Sequence, residues 1–225
     1  MKNIAVIVAA GRGKRFKGKK PKQFVKLGQR EILAHAAARF EKEKAIHGIL
    51  IIVPRGYVNF TREKIVRKYR FKKVIGVIEG GKQRYDSVFN GVSFLSGIKP
   101  DCVVIHDGAR PVFNRALLKK ILKHLKKEQA VIPVNRIYAT VKLIYGDHVV
   151  QTLDRDRLRT SHTPQGFRYA ALAKMYKRRH IEKYRPTDEA AAFEKAGYRV
   201  KIVEDGNVNI KVTTKKDLDI IKKYI

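Results

Sequence analysis

The chain has 225 residues, of which 44% are hydrophobic and 32% are charged, so it can form a sizeable core and intrinsic disorder is excluded. Its 51 Lys and Arg against 20 Asp and Glu give a formal net charge of +31, which attracts nucleic acid, acidic membrane surfaces or phosphorylated small molecules. A Lys-rich surface without function explains most of that charge equally well. One cysteine excludes an intrachain disulfide, and no apolar run approaches the ~18 residues of a membrane span, so we expect a cytoplasmic protein without membrane contact.

Apolar, β-branched runs alternate with amphipathic segments along most of the chain. The predicted strands are 4–8, 49–53, 74–78, 102–105 and 130–134. The predicted helices are 31–40, 87–97, 114–128, 187–197 and 214–225, the last three with Asn114, Thr187 and Thr214 as N-caps. This alternation predicts an α/β fold: one domain over residues 1–225, with an open, mostly parallel, twisted sheet and helices on both faces.

The pattern changes after the fifth strand. Residues 140–153 hold two β-like runs around Gly146 and Asp147, which is a two-residue hairpin signal. An isolated hairpin is marginally stable, so this one must pack on something, such as a partner subunit. We therefore predict a β-hairpin arm within residues 136–160.

The glycine-rich stretch AAGRGKRFKGKKPKQ follows the first strand directly. Its spacing approaches a Walker A loop, but Lys20 stands where a Ser or Thr should hold Mg²⁺. The dinucleotide pattern also fails, because its third glycine is missing. A looser phosphate loop remains: Gly11 and Gly13 let the backbone approach phosphates, while Arg15 and Lys22 neutralise their charge.

Three later stretches carry polar residues near strand ends. In EGGKQRYDSV, Gly81 would let the backbone approach a base or ribose and Ser87 would present a hydroxyl at a helix start, although a plain turn is the alternative. Asp107 ends a strand, which suits a metal, a substrate hydroxyl or a simple turn, and His106 is predicted to be a hydrogen-bonded core side chain. Lys211 is predicted within a strand, where burial requires an anionic partner.

Seven motifs now stand in order along residues 3–220: AAGRGKR, PKQ, GGKQR–DSV, HDGARP, TPQ, TDEA and NIKVTT. Together they resemble the 2-C-methyl-D-erythritol 4-phosphate cytidylyltransferase family, which implies a Rossmann-like nucleotidyltransferase fold. The implied reaction joins CTP to 2-C-methyl-D-erythritol 4-phosphate, a polyol phosphate, and releases pyrophosphate. The implied Mg²⁺ is held mainly by the CTP phosphates, without a predicted protein ligand.

The resemblance also implies roles for individual residues. CTP would be contacted by Ala9, Ala10, Gly11, Gly13, Gly81 and Ser87. The catalytic residues would be Arg15, Lys22, Arg155 and Lys211. The methylerythritol end would be held by Asp107, Arg110, Thr140 and Thr163. Arg155, which lies on the hairpin arm, would reach into the active site of the other subunit of a homodimer.

Two departures and two alternatives accompany this interpretation. Lys82 follows the glycine pair where an acidic residue is common, and Gly108 replaces a usual alanine.

Ribitol-5-phosphate cytidylyltransferases share most of the motifs, so ribitol 5-phosphate is the alternative acceptor. A basic nucleic-acid-binding protein is the remote alternative, but no helix-turn-helix, zinc-finger or RNA-binding aromatic signature supports specific nucleic-acid binding.

Overall fold

The computed structural model describes residues 1–11, 13–16, 18, 20–177, 182–206 and 208–225. Their strands are β1 Asn3–Val8, β2 Lys26–Leu27, β3 Arg30–Glu31, β4 Gly48–Val53, β5 Val74–Glu79, β6 Cys102–Asp107, β7 Ala130–Arg136, β8 Val141–Tyr145, β9 His148–Leu153, β10 Arg159–Ser161, β11 Gln165–Arg168 and β12 Lys201–Glu204. Their main helices are α1 Ile32–Glu41, α2 Val58–Thr61 with a π-helical continuation over Arg62–Arg67, α3 Arg84–Phe94, α4 Arg115–His124, α5 Tyr169–Met175, α6 Glu189–Lys195 and α7 Lys216–Ile221.

The central sheet has eight strands. Seven of them follow the order β5-β4-β1-β6-β11-β7-β12. The eighth, β10, pairs with β7 on the same edge as β11. Strands β6, β1, β4 and β5 pair in parallel, as do β7 and β12. Strands β10 and β11 run antiparallel to their neighbours. The predicted open, mostly parallel sheet is therefore confirmed.

Helices cover both faces of the sheet because its inner strands are apolar on both sides. In β4, Ile49 and Ile51 pack into a core cluster with α1 and α4, whereas Leu50 and Ile52 pack on the opposite side with α3 and α5. All six residues of β4 are buried. Such a strand needs a helical layer on each face, which explains the continuous apolar run in its sequence.

The predicted N-caps of two helices are wrong. The helix predicted from 187 is capped by Asp188, not Thr187: the Asp188 carboxylate accepts a hydrogen bond from the Ala191 N–H. The last helix begins at Lys216, and its Asp217 carboxylate accepts the backbone N–H groups of Thr213 and Thr214. In both places a carboxylate forms the hydrogen bonds at the helix start, and a hydrogen bond to a carboxylate is stronger than one to a threonine hydroxyl.

Lys211 does not lie in a strand. Residues 208–213 run alongside the site without regular secondary structure, held by single contacts such as the Val212 N–H donating to the Ala109 carbonyl at 2.8 Å. The predicted cap at Asn114 is confirmed, since its side chain accepts the Ala116 N–H at 2.8 Å.

The predicted hairpin forms as a two-stranded sheet of β8 and β9, separate from the central sheet. Its apolar side chains face solvent in the single chain: Ile144 is 64% exposed and Tyr145 82%, and Val149 and Val150 are similarly bare. An apolar surface of this kind is unusual on a monomer and is typical of a contact surface. Elsewhere in the described chain, no helix combines the length and the apolar character needed to cross a membrane.

Candidate active site

A cleft of about 350 Å³ opens where β1, β5 and β6 end. The carboxyl ends of parallel strands meet at one edge of the sheet, so the loops that follow them converge there. Ten residues predicted from the sequence line this cleft: Ala9, Ala10, Gly11, Gly13, Arg15, Lys22, Gly81, Ser87, Asp107 and Lys211. The sheet topology therefore brings together the loops that lie far apart in the sequence.

The glycine-rich loop forms the first wall of the cleft. Gly13 has a φ of +68°, a left-handed conformation that favours glycine, and a side chain there would crowd the aliphatic part of Lys22. The Gln23 side chain anchors the loop by donating to the Ala9 carbonyl at 2.5 Å. The loop thus places Lys22 and Arg15 against the cleft. Three residues of this stretch, Arg12, Lys17 and Lys19, lie outside the described residues.

The second glycine turn forms the opposite wall. A Cβ on Gly80 would clash with Ala10, so only glycine allows the two loops to approach this closely. A Cβ on Gly81 would clash with Asp86, at the start of α3. The Ser87 hydroxyl accepts the Gly81 N–H at 3.1 Å and donates to the Gln83 carbonyl at 3.1 Å. Ser87 is therefore fixed at the start of α3, beside the glycine pair.

Asp107, at the end of β6, is the centre of a group of cations. Lys211 Nζ lies 2.9 Å from its Oδ2, Arg110 Nε lies 3.4 Å from the same oxygen, and Arg84 Nη2 lies 3.4 Å from Oδ1. Burial alone would raise the pKa of Asp107, but Arg84, Lys211 and Arg110 outweigh it and hold that pKa far below its usual range. The carboxylate is therefore ionised at neutral pH.

Lys22 contributes a further cation whose charge is poorly compensated. Its ammonium donates to the Val212 carbonyl at 2.6 Å. Burial first, and then repulsion from Lys211, lower the pKa of Lys22 below that of an ordinary lysine. A phosphate placed between Lys22, Lys211 and Arg15 would relieve this repulsion. The free cleft is therefore electrostatically suited to an anion.

Arg110 and Thr163 lie behind Asp107 rather than on the cleft surface. Arg110 donates to the Asn209 carbonyl at 2.5 Å, which ties the loop that carries Lys211 to the end of β6. The Thr163 hydroxyl accepts the Asp107 N–H at 3.0 Å and lies 3.1 Å from His106 Nδ1. In the free protein both residues hold Asp107 in place.

His106 is the core side chain that the sequence predicts. It is fully buried, it packs against the rings of Phe40 and Phe113, and its Nε2 lies 2.9 Å from the Arg110 carbonyl. Burial lowers the pKa of His106 to about 4, so the ring is neutral at pH 7. The Cys102 thiol is likewise buried, which raises its pKa and disfavours the nucleophilic thiolate.

The two predicted arm residues lie away from the cleft of their own chain. Arg155 donates to the Tyr138 carbonyl at 2.5 Å and Thr140 is exposed at the base of the hairpin. Neither side chain is among those that line the cleft. The described single chain therefore does not bring these two predicted residues to the cleft.

The sequence interpretation missed Arg84 and Glu189. Arg84 lines the cleft beside Asp107 and forms a two-pronged ion pair with the fully buried Glu189, at 2.5 and 3.0 Å. Both residues stand inside quoted motifs, GGKQR and TDEA, but 105 positions separate them. No local pattern signals such a pair.

Metal binding by the cleft is limited by its donor set. Among the described residues, no three His, Cys, Asp or Glu side chains come together as metal donors. The cleft's one lining carboxylate, Asp107, is already engaged by three cations.

Comparison with known proteins gives a consistent result. Residues 3–225 match the family model for 2-C-methyl-D-erythritol 4-phosphate cytidylyltransferase. Relatives of that name in Alkaliphilus oremlandii and Caldicellulosiruptor bescii are 35% and 36% identical; the match covers all of this chain and 95% and 98% of theirs.

Solved structures agree in fold. The 4-diphosphocytidyl-2C-methyl-D-erythritol synthase of Anaerococcus prevotii has a TM-score of 0.85 at 28% identity, with 99% of this chain and 95% of that chain covered. The 2-C-methyl-D-erythritol 4-phosphate cytidylyltransferase of Francisella tularensis has a TM-score of 0.84 at 30% identity, with both chains fully covered.

Proposed function

The chain belongs to the 2-C-methyl-D-erythritol 4-phosphate cytidylyltransferase family, and we propose that it joins CTP to 2-C-methyl-D-erythritol 4-phosphate. An oxygen of the acceptor phosphate attacks the α-phosphorus of CTP. The bond from that phosphorus to the bridging oxygen of the β-phosphate breaks, and pyrophosphate leaves. The products are 4-diphosphocytidyl-2-C-methyl-D-erythritol and pyrophosphate. The observation that carries this proposal is the convergence of Arg15, Lys22 and Lys211 beside Asp107 in one cleft.

The cleft suits this reaction because phosphoryl-type transfer depends on positioning and charge neutralisation. Ala9, Ala10, Gly11 and Gly13 supply backbone along one wall, and Gly81 and Ser87 lie on the other. In the proposal these walls hold CTP. Lys22 and Arg15 stabilise the negative charge that develops as pyrophosphate departs, and Lys211 approaches the α-phosphate and the incoming phosphate.

Asp107 is the one lining carboxylate of a basic cleft, so it is the group suited to accept hydrogen bonds from the acceptor's hydroxyls. In the proposal Arg110 and Thr163 assist by holding it in place. Mg²⁺ would enter the reaction bound to the CTP phosphates, where it neutralises their charge, since the described cleft residues offer no donor set of their own.

The hairpin arm is the proposed site of homodimer formation. Its exposed apolar side chains, Ile144, Tyr145, Val149 and Val150, would be covered by a second copy. The same contact would carry Arg155 and Thr140 to the acceptor end of the partner's cleft. A cytoplasmic location is part of the proposal, and the single buried cysteine is compatible with it.

Purified protein, CTP and Mg²⁺ with either 2-C-methyl-D-erythritol 4-phosphate or ribitol 5-phosphate test the proposal. Pyrophosphate release is followed continuously, and the nucleotide product is identified by mass spectrometry. We expect a kcat/KM at least about tenfold higher with the methylerythritol acceptor, because a site built for one set of hydroxyls leaves polar groups unpaired with another. Equal or greater turnover of ribitol 5-phosphate would contradict the proposed acceptor, and no turnover of either would contradict the proposed reaction.

A further inference from the structure

Arg84 bridges two carboxylates at the floor of the cleft. Its Nη1 and Nη2 lie 2.5 and 3.0 Å from the two oxygens of Glu189, and its Nε and Nη2 both lie 3.4 Å from Asp107 Oδ1. A planar guanidinium can serve two carboxylates in this way, whereas a lysine ammonium is a single point of charge. Arg84 therefore connects α3, α6 and the end of β6.

Glu189 makes this connection rigid. Its side chain is fully buried at the first turn of α6, and the Tyr176 hydroxyl donates to its Oε1 at 3.1 Å. Burial alone would lower the pKa of Arg84, but Glu189 and then Asp107 outweigh it and raise that pKa. Arg84 therefore stays charged, and removal of either partner would leave the other unpaired in the interior.

Lys211 differs from the two arginines around Asp107. Its side chain is 39% exposed, against 25% for Arg84 and 13% for Arg110, and it stands on a loop without regular structure. Its four-carbon stem can swing, whereas Arg84 is held by Glu189. In the free protein the Lys211 ammonium rests on Asp107 Oδ2 at 2.9 Å.

We infer that Arg84, held by Glu189, is a positioning residue that keeps Asp107 paired while Lys211 transfers from Asp107 to the phosphates of CTP. This inference rests on the proposed function, because it takes CTP as the ligand of the cleft. Without Arg84, departure of Lys211 would leave the buried carboxylate with Arg110 alone. Lys211 would then stay on Asp107 and interact less with the phosphates.

A double-mutant cycle on CTP affinity tests the transfer. Isothermal calorimetry without acceptor compares the wild type, Arg84→Met/Glu189→Met, Lys211→Ala and the triple variant. Replacing both members of a buried ion pair by apolar side chains of similar size is often tolerated by the fold. We expect the double variant to bind CTP about tenfold more weakly, the scale of one charge-assisted hydrogen bond. In the Lys211→Ala background the same change should weaken binding less than about twofold, because there is no ammonium left to transfer.

The matched control is a second arginine paired with a buried glutamate, neither of which lines the cleft. Arg115 Nε lies 3.2 Å from Glu43 Oε2, and Arg115→Met/Glu43→Met should leave CTP affinity unchanged. Should the Arg84→Met/Glu189→Met protein fail to fold, Arg84→Lys replaces it: Glu189 keeps a cation, but one ammonium cannot also serve Asp107. The same non-additivity with Lys211→Ala is then expected.

The remaining outcomes separate this inference from the proposed function. An equal loss of affinity in both Lys211 backgrounds would mean that Arg84 acts on CTP directly, and unchanged affinity would mean that it does not act at all; either overturns the inference. Wild-type protein that binds CTP but forms no product with 2-C-methyl-D-erythritol 4-phosphate overturns only the proposed acceptor. Protein that binds no CTP overturns both.

Discussion

Lys22→Ala gives the sharpest test of the charge distribution in the cleft. The Lys22 ammonium is half-buried, 2.6 Å from the Val212 carbonyl, and close enough to Lys211 and Arg15 for their repulsion to lower its pKa. Burial and this repulsion disfavour the cation in the free protein, and the negative charge of a bound phosphate would offset them. The interaction should therefore strengthen as negative charge develops on the leaving pyrophosphate.

The expected effect is a fall in kcat of about 100- to 1000-fold, which corresponds to ~2.7–4 kcal/mol of lost transition-state stabilisation. The KM values for both substrates should change much less, since the ammonium contributes mainly in the transition state. Lys20→Ala is the matched control: Lys20 is an exposed lysine of the same loop, and its loss should change kcat by less than about threefold.

The assay is pyrophosphate release at saturating CTP, acceptor and Mg²⁺, with thermal midpoints measured for both variants to verify folding. Product release must not mask the chemical step, so single-turnover rates are measured in parallel. A folded Lys22→Ala protein with kcat within threefold of wild type would refute the reasoning. Equal losses in Lys20→Ala and Lys22→Ala would also refute it, because they would show a diffuse charge effect.

Five other outcomes are expected. The kcat/KM should decline on the alkaline side below pH 10.5, since burial and then Lys211 lower the Lys22 pKa and the protonated form is required; in Lys22→Arg the decline should move to higher pH. Asp107→Asn should raise the acceptor KM at least about tenfold in initial-rate measurements, with CTP KM less affected. Ile144→Asp on the arm should shift sedimentation toward monomer, and mixed Arg155→Ala and Lys22→Ala subunits should regain activity over either variant alone. Raising salt from about 50 to 300 mM should lower kcat/KM several-fold, because screening weakens steering of anionic substrates by the net charge of +31.

The layered fold could be predicted from the sequence because its signals are local. The strand β4 is a continuous apolar run, since both of its faces are covered, and α4 shows one apolar stripe after a capping asparagine. The glycine loop after β1 could also be interpreted locally, because Gly13 must adopt a positive φ beside Lys22. Motif order then pointed to ten of the residues that line the cleft.

Other features could not be predicted because they depend on strand order. The antiparallel insertion of β11 between β6 and β7 reads as a loop in the sequence, since its few residues carry no periodic signal. The sequence predicts Lys211 in a strand because NIKVTT alternates polar and apolar residues as a strand does. In the structure, single contacts to the end of β6 hold this segment without regular secondary structure.

The amino-acid sequence by itself determined the α/β class and identified most of the residues that line the cleft, and it predicted a phosphate-binding role for the first loop. The tertiary structure alone decided which charges meet: Lys211 on Asp107, and Arg84 between Asp107 and the buried Glu189. The physical reason is the separation along the chain over which each kind of interaction acts. Helix, strand and turn preferences act between residues a few positions apart, whereas an ion pair depends on which chain segments the folded sheet brings within a few ångströms.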